Sequence, residues 1–225
     1  ESLHRSPLIG RNGVFEGRVA IRDVAFWWPH THGRPDLYDA WIEFDVGGSL
    51  ARVDLCPVGF RGLALDTTGG RFRLSVNGAP VFCRGASWTP LDPVTLDGDL
   101  DRTRAALEQA ARAGMNMLRV AGPMIYENAA FHDEADRQGI LVWQDLMFAN
   151  MDYPEHDPDF VESVTLEVRQ ALGALRGRPS VALICGNSEC EQQAAMWGAP
   201  REVWEQTFFH RTLRDLADAA CPGVP

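Results

Sequence analysis

The sequence predicts an α/β protein in which a β region is followed, after about residue 80, by four strands that alternate with helices. Short apolar segments typical of buried strands begin at residues 81, 115, 140 and 181, and amphipathic patterns with helical spacing separate them. Four consecutive βα units imply a parallel sheet with right-handed crossovers. Two architectures fit this pattern, an open doubly wound sheet and the first half of an eight-stranded barrel.

The β region before residue 80 has the signals of antiparallel strands, and we expect it to be part of a sandwich. Residues 14–24 are rich in β-branched and aromatic side chains. Residues 39–46 alternate between an apolar face at every second residue from Ala40 to Val46 and a face that is polar apart from Trp41, which predicts a half-buried strand. Residues 51–55 repeat this period of two, and Asn77-Gly78 between two apolar runs is a strong hairpin signal.

The βα region divides into elements whose ends carry recognisable signals. Gly114 and Gly139 follow two helix patterns, as expected of C-terminal caps, and Asp157-Pro158 supplies an N-cap and a first-turn proline to a third helix. The expected elements in order are a strand at 81–87, a helix at 100–113, a strand at 115–120, a helix at 128–138, a strand at 140–146, a helix from 158, a strand at 181–185 and a helix at 201–219.

The composition excludes several classes of protein. The net charge is -10, with 31 acidic residues against 21 basic residues that are all arginine, and a field of this sign disfavours nucleic acid and anionic membranes as partners. No apolar run approaches the roughly 18 residues that cross a bilayer. The five cysteines form no CxxC pair and predict neither a disulfide framework nor a zinc site. This usage suits a cytoplasmic or periplasmic bacterial protein better than a disulfide-rich extracellular one.

The sequence also lacks the motifs of nucleotide and metal sites. The turn after the first strand of the βα region, where a nucleotide-binding fold carries its glycine-rich loop, runs from Gly85 to Pro90 and matches no phosphate-binding fingerprint. A P-loop needs a lysine, and this sequence has none. Neither GxSxG nor HExxH occurs. We therefore expect no cofactor and no metal.

In parallel βα folds the chemistry collects at the carboxyl ends of the strands, which makes the residues there the candidates for a functional site. Glu189 follows the fourth strand, and polar and indole side chains follow its neighbours. This set suits carbohydrate chemistry, because indoles stack on sugar rings, short polar side chains bind hydroxyls, and a desolvated carboxyl can protonate a glycosidic oxygen. The candidates besides Glu189 are Trp88, Arg119, Trp143, Asp145, Asn187 and Ser188.

Each candidate also has a plain structural interpretation. A glutamate after a strand is more often a helix-cap partner than a catalyst, and Trp88 or Trp143 taken singly is more often a core residue than a sugar platform. Arg119 differs, because a guanidinium within an apolar strand is costly to bury unless a carboxylate pairs with it. We therefore expect a partner carboxylate beside Arg119, and the joint position of these residues at the strand ends favours a site.

Several stretches of the sequence resemble glycoside hydrolase family 2, and β-mannosidases in particular. They run in order from about residue 27 to 191 and are specific as a set. They are Trp27-Trp28-Pro29 with Leu37-Tyr38, Gly59-Phe60-Arg61, Phe72 through Asn77-Gly78, Arg84 to Pro90, Leu118-Arg119-Val120, Val142-Trp143-Gln144-Asp145, and Arg178-Pro179-Ser180 through Gly186-Asn187-Ser188-Glu189.

The resemblance implies a particular fold. Residues 1–58 would be part of an immunoglobulin-like β-sandwich, and residues 59–225 the first half, with four βα units, of a (β/α)8 TIM barrel. The family's nucleophile follows a seventh barrel strand, which these residues do not include, so the isolated chain is expected to be inactive. Three arrangements would cover the open edges of a half barrel: the missing half on the same polypeptide, a second chain, or a homo-oligomer.

The resemblance implies a retaining β-glycosidase of the β-mannosidase type, acting on terminal β-linked sugars without a cofactor. Glu189 falls on the family's acid/base glutamate, Asp145 on its sugar-binding aspartate and Arg119 on the arginine that steadies the nucleophile. Ser188 stands where the family has an asparagine, and Ala121 where it has an active-site tryptophan. These departures leave open a β-galactosidase or β-glucuronidase activity, or a non-catalytic carbohydrate-binding protein.

Overall fold

Four βα units place their strands side by side in a computed structural model, which describes residues 3–96 and 98–225. The strands are β1 (Ile9–Arg11), β2 (Val14–Glu16), β3 (Trp41–Val46), β4 (Ser49–Asp54), β5 (Leu63–Asp66), β6 (Arg73–Val76), β7 (Ala79–Pro80), β8 (Gly85–Trp88), β9 (Met117–Val120), β10 (Leu141–Asp145) and β11 (Val181–Cys185). The helices are α1 (Leu100–Arg112), α2 (Ala129–Gln138), α3 (Pro158–Leu175), α4 (Cys190–Met196), α5 (Arg201–Trp204) and α6 (Arg214–Ala220). None of the described helices is long and apolar enough to cross a membrane.

The last four strands form one parallel sheet in the order β11-β10-β9-β8. Met117 of β9 pairs with Gly85 of β8 on one side and with Leu141 of β10 on the other. The α/β class with four parallel strands is thus confirmed. The first of these strands is shorter than expected, because Val81 donates its N–H to the Leu74 carbonyl oxygen and so belongs to the preceding antiparallel region.

The third helix begins at Asp157-Pro158 as predicted, and the first two end just before the expected glycines Gly114 and Gly139. Asp99, Asn128 and Asp157 are N-caps whose side chains accept hydrogen bonds from backbone N–H groups of the first turn. Gly139 closes α2 in the left-handed conformation, with φ 68°. The first two of these helices cover one face of the sheet, and the buried residues of this outer cluster are Trp88, Leu107, Leu118, Val120, Phe131, Ala135, Ile140 and Val142.

A three-stranded antiparallel sheet of β5, β6 and β7 packs at the start of the parallel strands. Asn77 and Gly78 form its two-residue turn, with φ of 49° and 82°, so the predicted hairpin is confirmed. The contact buries an inner cluster of Trp27, Leu74, Val76, Val81, Met117, Leu141 and Ala182. Met117, Leu141 and Ala182 of this inner cluster belong to the parallel strands. The face of the parallel sheet that contacts the antiparallel sheet is called its inner face below.

Arg61 joins the segment before the antiparallel sheet to the start of β11. Its guanidinium donates hydrogen bonds to three carbonyl oxygens within residues 178–181. Burial lowers the pKa of Arg61 to about 10, so the side chain stays protonated at neutral pH. Nearby, the fully buried Trp27 donates its indole N–H to the Asp136 carbonyl oxygen. This bond crosses the boundary expected after residue 58, which itself stays a prediction.

The first two hairpins leave apolar side chains exposed. β3 and β4 pair as an antiparallel hairpin, with Ile42 opposite Val53. Phe44 is nevertheless 44% exposed and Val46 59% exposed. The expectation of a half-buried strand is therefore wrong for this chain, because the described residues supply no second sheet to cover that face. Within residues 14–24 the regular structure is limited to the short strand β2.

The single helix expected at 201–219 is interrupted. α5 ends at Trp204, and a π-helical turn at Phe208–Leu213 precedes α6. This wide turn lets two adjacent phenylalanines and Leu213 share one buried cluster with α3. A pattern of 3.6 residues per turn cannot anticipate that arrangement. The helix α4, which begins directly after Glu189, is also absent from the sequence prediction.

Buried His132 gives the stability of the chain a predictable pH dependence. It is 3% exposed, and burial together with the charge of Arg178 lowers its pKa from 6.5 to about 4. Between these values the unfolded chain binds a proton that the folded chain does not, so the free energy of unfolding falls as the pH drops. We expect His132→Gln to remove roughly 3 kcal/mol of this loss. Urea unfolding at pH 7 and pH 4 measures it.

His156→Gln is the matched control for this prediction. The His156 side chain is 95% exposed, so its replacement should leave the difference between the two pH values unchanged. Burial raises the pKa of Asp136, which acts in the opposite sense, but this carboxyl is present in both variants. An unaltered pH dependence in His132→Gln would show that the imidazole does not resist protonation in the folded chain.

Candidate active site

Strand alternation brings Arg119, Trp143 and Asp145 to the inner face of the parallel sheet. Met117 and Leu141 belong to the inner cluster at the start of β9 and β10. Side chains two residues apart on a strand share a face, so Arg119 follows Met117, and Trp143 and Asp145 follow Leu141. Arg119 and Trp143 also pair directly across the two strands. These three side chains therefore lie together toward the carboxyl ends.

Arg119 and Asp145 form a two-armed ion pair. Arg119 Nη2 lies 2.6 Å from Asp145 Oδ2, and Arg119 Nε lies 3.1 and 3.2 Å from Oδ2 and Oδ1. The Gly122 N–H donates to Oδ2 at 3.1 Å. The hydrogen bonds that Arg119 donates to Asp145 raise the pKa of Arg119, against the effect of burial. Asp145 is fully buried, whereas the Arg119 side chain is 36% exposed. The expected partner carboxylate of Arg119 is thus Asp145.

Ser188 approaches this ion pair from the loop after β11. Arg119 Nη2 donates to Ser188 Oγ at 3.4 Å. The Ser188 backbone is held by bonds to the Phe148 carbonyl oxygen and from the Asn150 N–H. A Cβ at Gly122 would lie 2.6 Å from the Phe148 carbonyl oxygen and 3.0 Å from Ser188 Cβ. Glycine at position 122 therefore allows the ends of three neighbouring strands to meet.

Glu189 stands where the loop after β11 enters α4. Its backbone is in the left-handed conformation, with φ 62° and ψ 16°, which costs free energy for a non-glycine residue and is common at functional sites. The Glu189 side chain makes no cap hydrogen bond. Asn187 Oδ1 instead accepts from the Cys190 N–H at 3.2 Å. Asn187 thus has the capping role, and the Glu189 carboxyl is left available for chemistry.

The surroundings of Glu189 differ from the sequence expectation. A desolvated carboxyl is predicted at Glu189, and this is wrong for the described chain, because Glu189 is exposed while Asp145 is fully buried. Glu189 is exposed to solvent in the loop that enters α4. Its charge is still close enough to Arg119 to raise the pKa of that guanidinium. Glu189 therefore borders the buried ion pair.

Trp143 contacts the site through Arg119. The Arg119 Cζ lies 5.2 Å from the centroid of the indole ring. Phe72 stacks against the same indole, with ring centroids 5.6 Å apart and planes inclined by 19°. The Trp143 Nε1–H is buried, has no nitrogen or oxygen acceptor among the described residues, and lies beside the Cys185 thiol. Trp143 is therefore part of the support of Arg119.

Trp88 lies on the opposite face of the sheet. It is 8% exposed and packs in the outer cluster, with its ring centroid 5.0 Å from that of Phe131. Its indole N–H donates to Glu127 Oε1 at 2.8 Å. The structure does not bring Trp88 together with Arg119 and Asp145, and this position agrees with a core residue.

Two neighbours of the site, Cys185 and Phe72, are absent from the sequence prediction. Cys185 pairs with Asp145 at the end of β11, its thiol donates to the Asn187 carbonyl oxygen at 3.1 Å, and burial raises its pKa. The strand pattern at 181–185 could have indicated this position. Phe72 carries no such signal, because it comes from the segment directly before β6. All five cysteines are free thiols, and the described residues hold no cluster of three potential metal ligands.

A cavity opens at the same edge of the sheet. Its volume is about 420 Å³, and the loops after β8 and β9 line it, mainly through Pro90, Leu96, Pro123 and Met124. This volume lies in the range of small-molecule sites, which in βα folds occur at the carboxyl ends of the strands. Arg119, Asp145 and Glu189 do not line this cavity, so the polar cluster itself makes this edge the candidate active site.

Comparison with known proteins identifies relatives of this chain. No protein-family model matches the chain. The chain is 36% identical to a β-mannosidase from Capra hircus over 201 residues, which are 85% of this chain and 22% of the relative. The crystal structure of a β-D-mannosidase from Dictyoglomus thermophilum matches 94% of this chain and 27% of its own, with a TM-score of 0.79 and 33% identity.

A more distant structure shares the fold alone. The exo-chitosanase CsxA from Amycolatopsis orientalis matches 92% of this chain and 23% of its own, with a TM-score of 0.67 and 22% identity. The chain thus spans 22 to 27% of the length of these proteins. The two β-mannosidase matches cover 85 and 94% of this chain. By this homology, the chain belongs to the β-mannosidases of glycoside hydrolase family 2.

Proposed function

We propose that the protein is a retaining β-glycosidase that hydrolyses terminal β-linked mannosides, with Glu189 as its general acid and base. The homology to β-mannosidases supports the substrate class. One observation carries the role of Glu189. At the end of β11 it adopts a left-handed backbone conformation, has no capping role, and lies near Arg119.

Glu189 would act in both steps of the reaction. In the first step its protonated carboxyl donates a proton to the glycosidic oxygen, while the bond from that oxygen to the anomeric carbon breaks and the nucleophile bonds to the carbon. In the second step the Glu189 carboxylate takes a proton from a water molecule that displaces the nucleophile. The exposed position of Glu189 leaves its carboxyl accessible to the leaving group and to water.

The ion pair below Glu189 would form the floor of the sugar subsite. Because Asp145 is fully buried, the exposed Arg119 guanidinium is the member of the pair that can reach a sugar or a second carboxylate. Asp145 holds this guanidinium in place, and Ser188 adds a hydroxyl beside it. Asn187 and Trp143 support these groups through the α4 cap and the indole contact.

A retaining mechanism also needs a second carboxyl, about 5–5.5 Å from the first. Asp145 does not suit this role, because it is fully buried and its oxygens accept hydrogen bonds from Arg119 and Gly122. We place the nucleophile outside these 225 residues, in a part of the protein that completes the barrel.

Hydrolysis of aryl β-D-mannosides tests this proposal. The protein with a completed barrel should hydrolyse the mannoside faster than the matching β-galactoside and β-glucuronide, while the 225-residue chain alone should give no turnover. Faster hydrolysis of the galactoside or the glucuronide would show that the proposed substrate class, β-mannosides, is wrong. Glycan binding without hydrolysis of any of the three would overturn the enzymatic role, and turnover by the chain alone would overturn the external nucleophile.

A further inference from the structure

A series of ring contacts leads from the antiparallel sheet into the candidate site. Phe72, directly before β6, stacks on Trp143 with ring centroids 5.6 Å apart. The Arg119 Cζ lies 5.2 Å from the centroid of the same indole. Arg119 in turn donates to Asp145 and Ser188. The proposed function uses the polar end of this series and leaves Phe72 without a role.

Arg119 needs a support besides Asp145. Asp145 holds one edge of the guanidinium, but the side chain is long and 36% exposed, so the face of the guanidinium still needs a surface to pack against. The indole of Trp143 pairs with Arg119 across the two strands and offers a flat surface on which a guanidinium packs. The orientation of Trp143 therefore affects the direction of the hydrogen bonds that Arg119 donates.

The indole N–H of Trp143 has a weaker anchor than the indole N–H groups of Trp27 and Trp88. Trp27 and Trp88 donate their N–H groups to Asp136 and Glu127, respectively. The Trp143 Nε1–H is buried without a nitrogen or oxygen acceptor among the described residues, and its side-chain neighbour is the Cys185 thiol, a weak acceptor. Its orientation therefore depends on ring contacts, and Phe72 provides one, with planes inclined by only 19°.

We propose that Phe72 is a positioning residue for the sugar subsite: it fixes the Trp143 indole, and the indole holds the Arg119 guanidinium against Asp145 and Ser188. This inference rests on the proposed glycosidase function. Phe72 is itself 56% exposed, so its replacement removes the ring contact without opening a large cavity in the core. Its effect falls on the subsite and not on proton donation by Glu189.

Phe72→Leu is expected to lower kcat/KM for an aryl β-mannoside by about five- to ten-fold in the protein with a completed barrel. The loss should be equal for activated and poor leaving groups, because Glu189 is unchanged. Phe72→Tyr keeps the ring and should restore most of the activity. Phe82→Leu is the matched control, since Phe82 lies beside the same sheet and is 80% exposed; its kcat/KM should stay at the wild-type value.

Crystal structures of the wild-type protein and Phe72→Leu provide a measurement that does not depend on activity. The Arg119 guanidinium should turn away from its 2.6 Å contact with Asp145 Oδ2 in the variant. An unmoved Arg119, or an equal loss of activity in Phe72→Leu and Phe72→Tyr, would overturn the positioning role. If the wild-type protein hydrolyses no β-mannoside, the proposed function fails alone, and the two crystal structures still decide the role of Phe72.

Discussion

Replacing Glu189 by glutamine is expected to slow the hydrolysis of mannosides with poor leaving groups by roughly 10²–10⁴-fold, the usual contribution of a general acid. Glutamine keeps the size of the side chain but cannot transfer a proton to the glycosidic oxygen. Activated leaving groups such as dinitrophenolate depart without that proton, so the first step on such substrates should be nearly unaffected. The measurement is kcat/KM across aryl mannosides of rising leaving-group pKa, in the protein with a completed barrel.

Glu191→Gln is the control for this result. Glu191 lies two residues further on, in the first turn of α4, and its carboxylate contacts His210 Nε2. Its replacement should leave the dependence on the leaving group as in the wild-type protein. If Glu189→Gln cleaves poor leaving groups at the wild-type rate, another residue is the acid.

The second large effect is expected on stability. Arg119→Met should lower the free energy of unfolding by about 3–5 kcal/mol, because it removes one partner of a buried ion pair. The Asp145 carboxylate would stay fully buried, with the Gly122 N–H as its remaining donor among the described residues. Urea unfolding of the 225-residue chain measures the change.

Arg112→Met provides the comparison. Arg112 and Glu108 form an exposed pair at 3.7 Å, so this replacement should change the stability by no more than about 0.5 kcal/mol. The double variant Arg119→Met, Asp145→Leu should recover much of the stability, because it leaves no buried unpaired charge. Equal losses of unfolding free energy in Arg112→Met and Arg119→Met would mean that leaving Asp145 unpaired and buried does not destabilise the chain.

The features that the sequence predicts are those encoded by short segments. Asn77-Gly78 favours a two-residue turn through backbone conformation alone, and Asp157-Pro158 starts a helix through one side-chain cap and one ring. The need of Arg119 for a carboxylate also follows from the cost of burying a charge. The identity of that carboxylate does not follow from the sequence pattern, because it depends on which strands lie side by side.

The features that the sequence misses depend on strand phase or on distant segments. Trp88 and Trp143 both occur near strand ends. Side chains alternate between the two faces of a strand, so an error of one residue in the predicted alternation assigns a side chain to the wrong face. Trp88 faces the helices and Trp143 faces the site. The exposure of Glu189 depends on the groups opposite it, which no local pattern encodes. Phe72 reaches the site from the segment directly before β6, so spacing among the βα units does not reveal it.

The hydrogen bonds of Arg61 affect the order in which the chain folds. They join positions separated by 117 to 120 residues, so the intervening chain must be ordered before they form. Contacts of such long range are slow to form compared with those inside one βα unit. We expect these bonds to be absent from the folding transition state and to act mainly by slowing unfolding. One arginine would then lengthen the lifetime of the folded chain without speeding its folding.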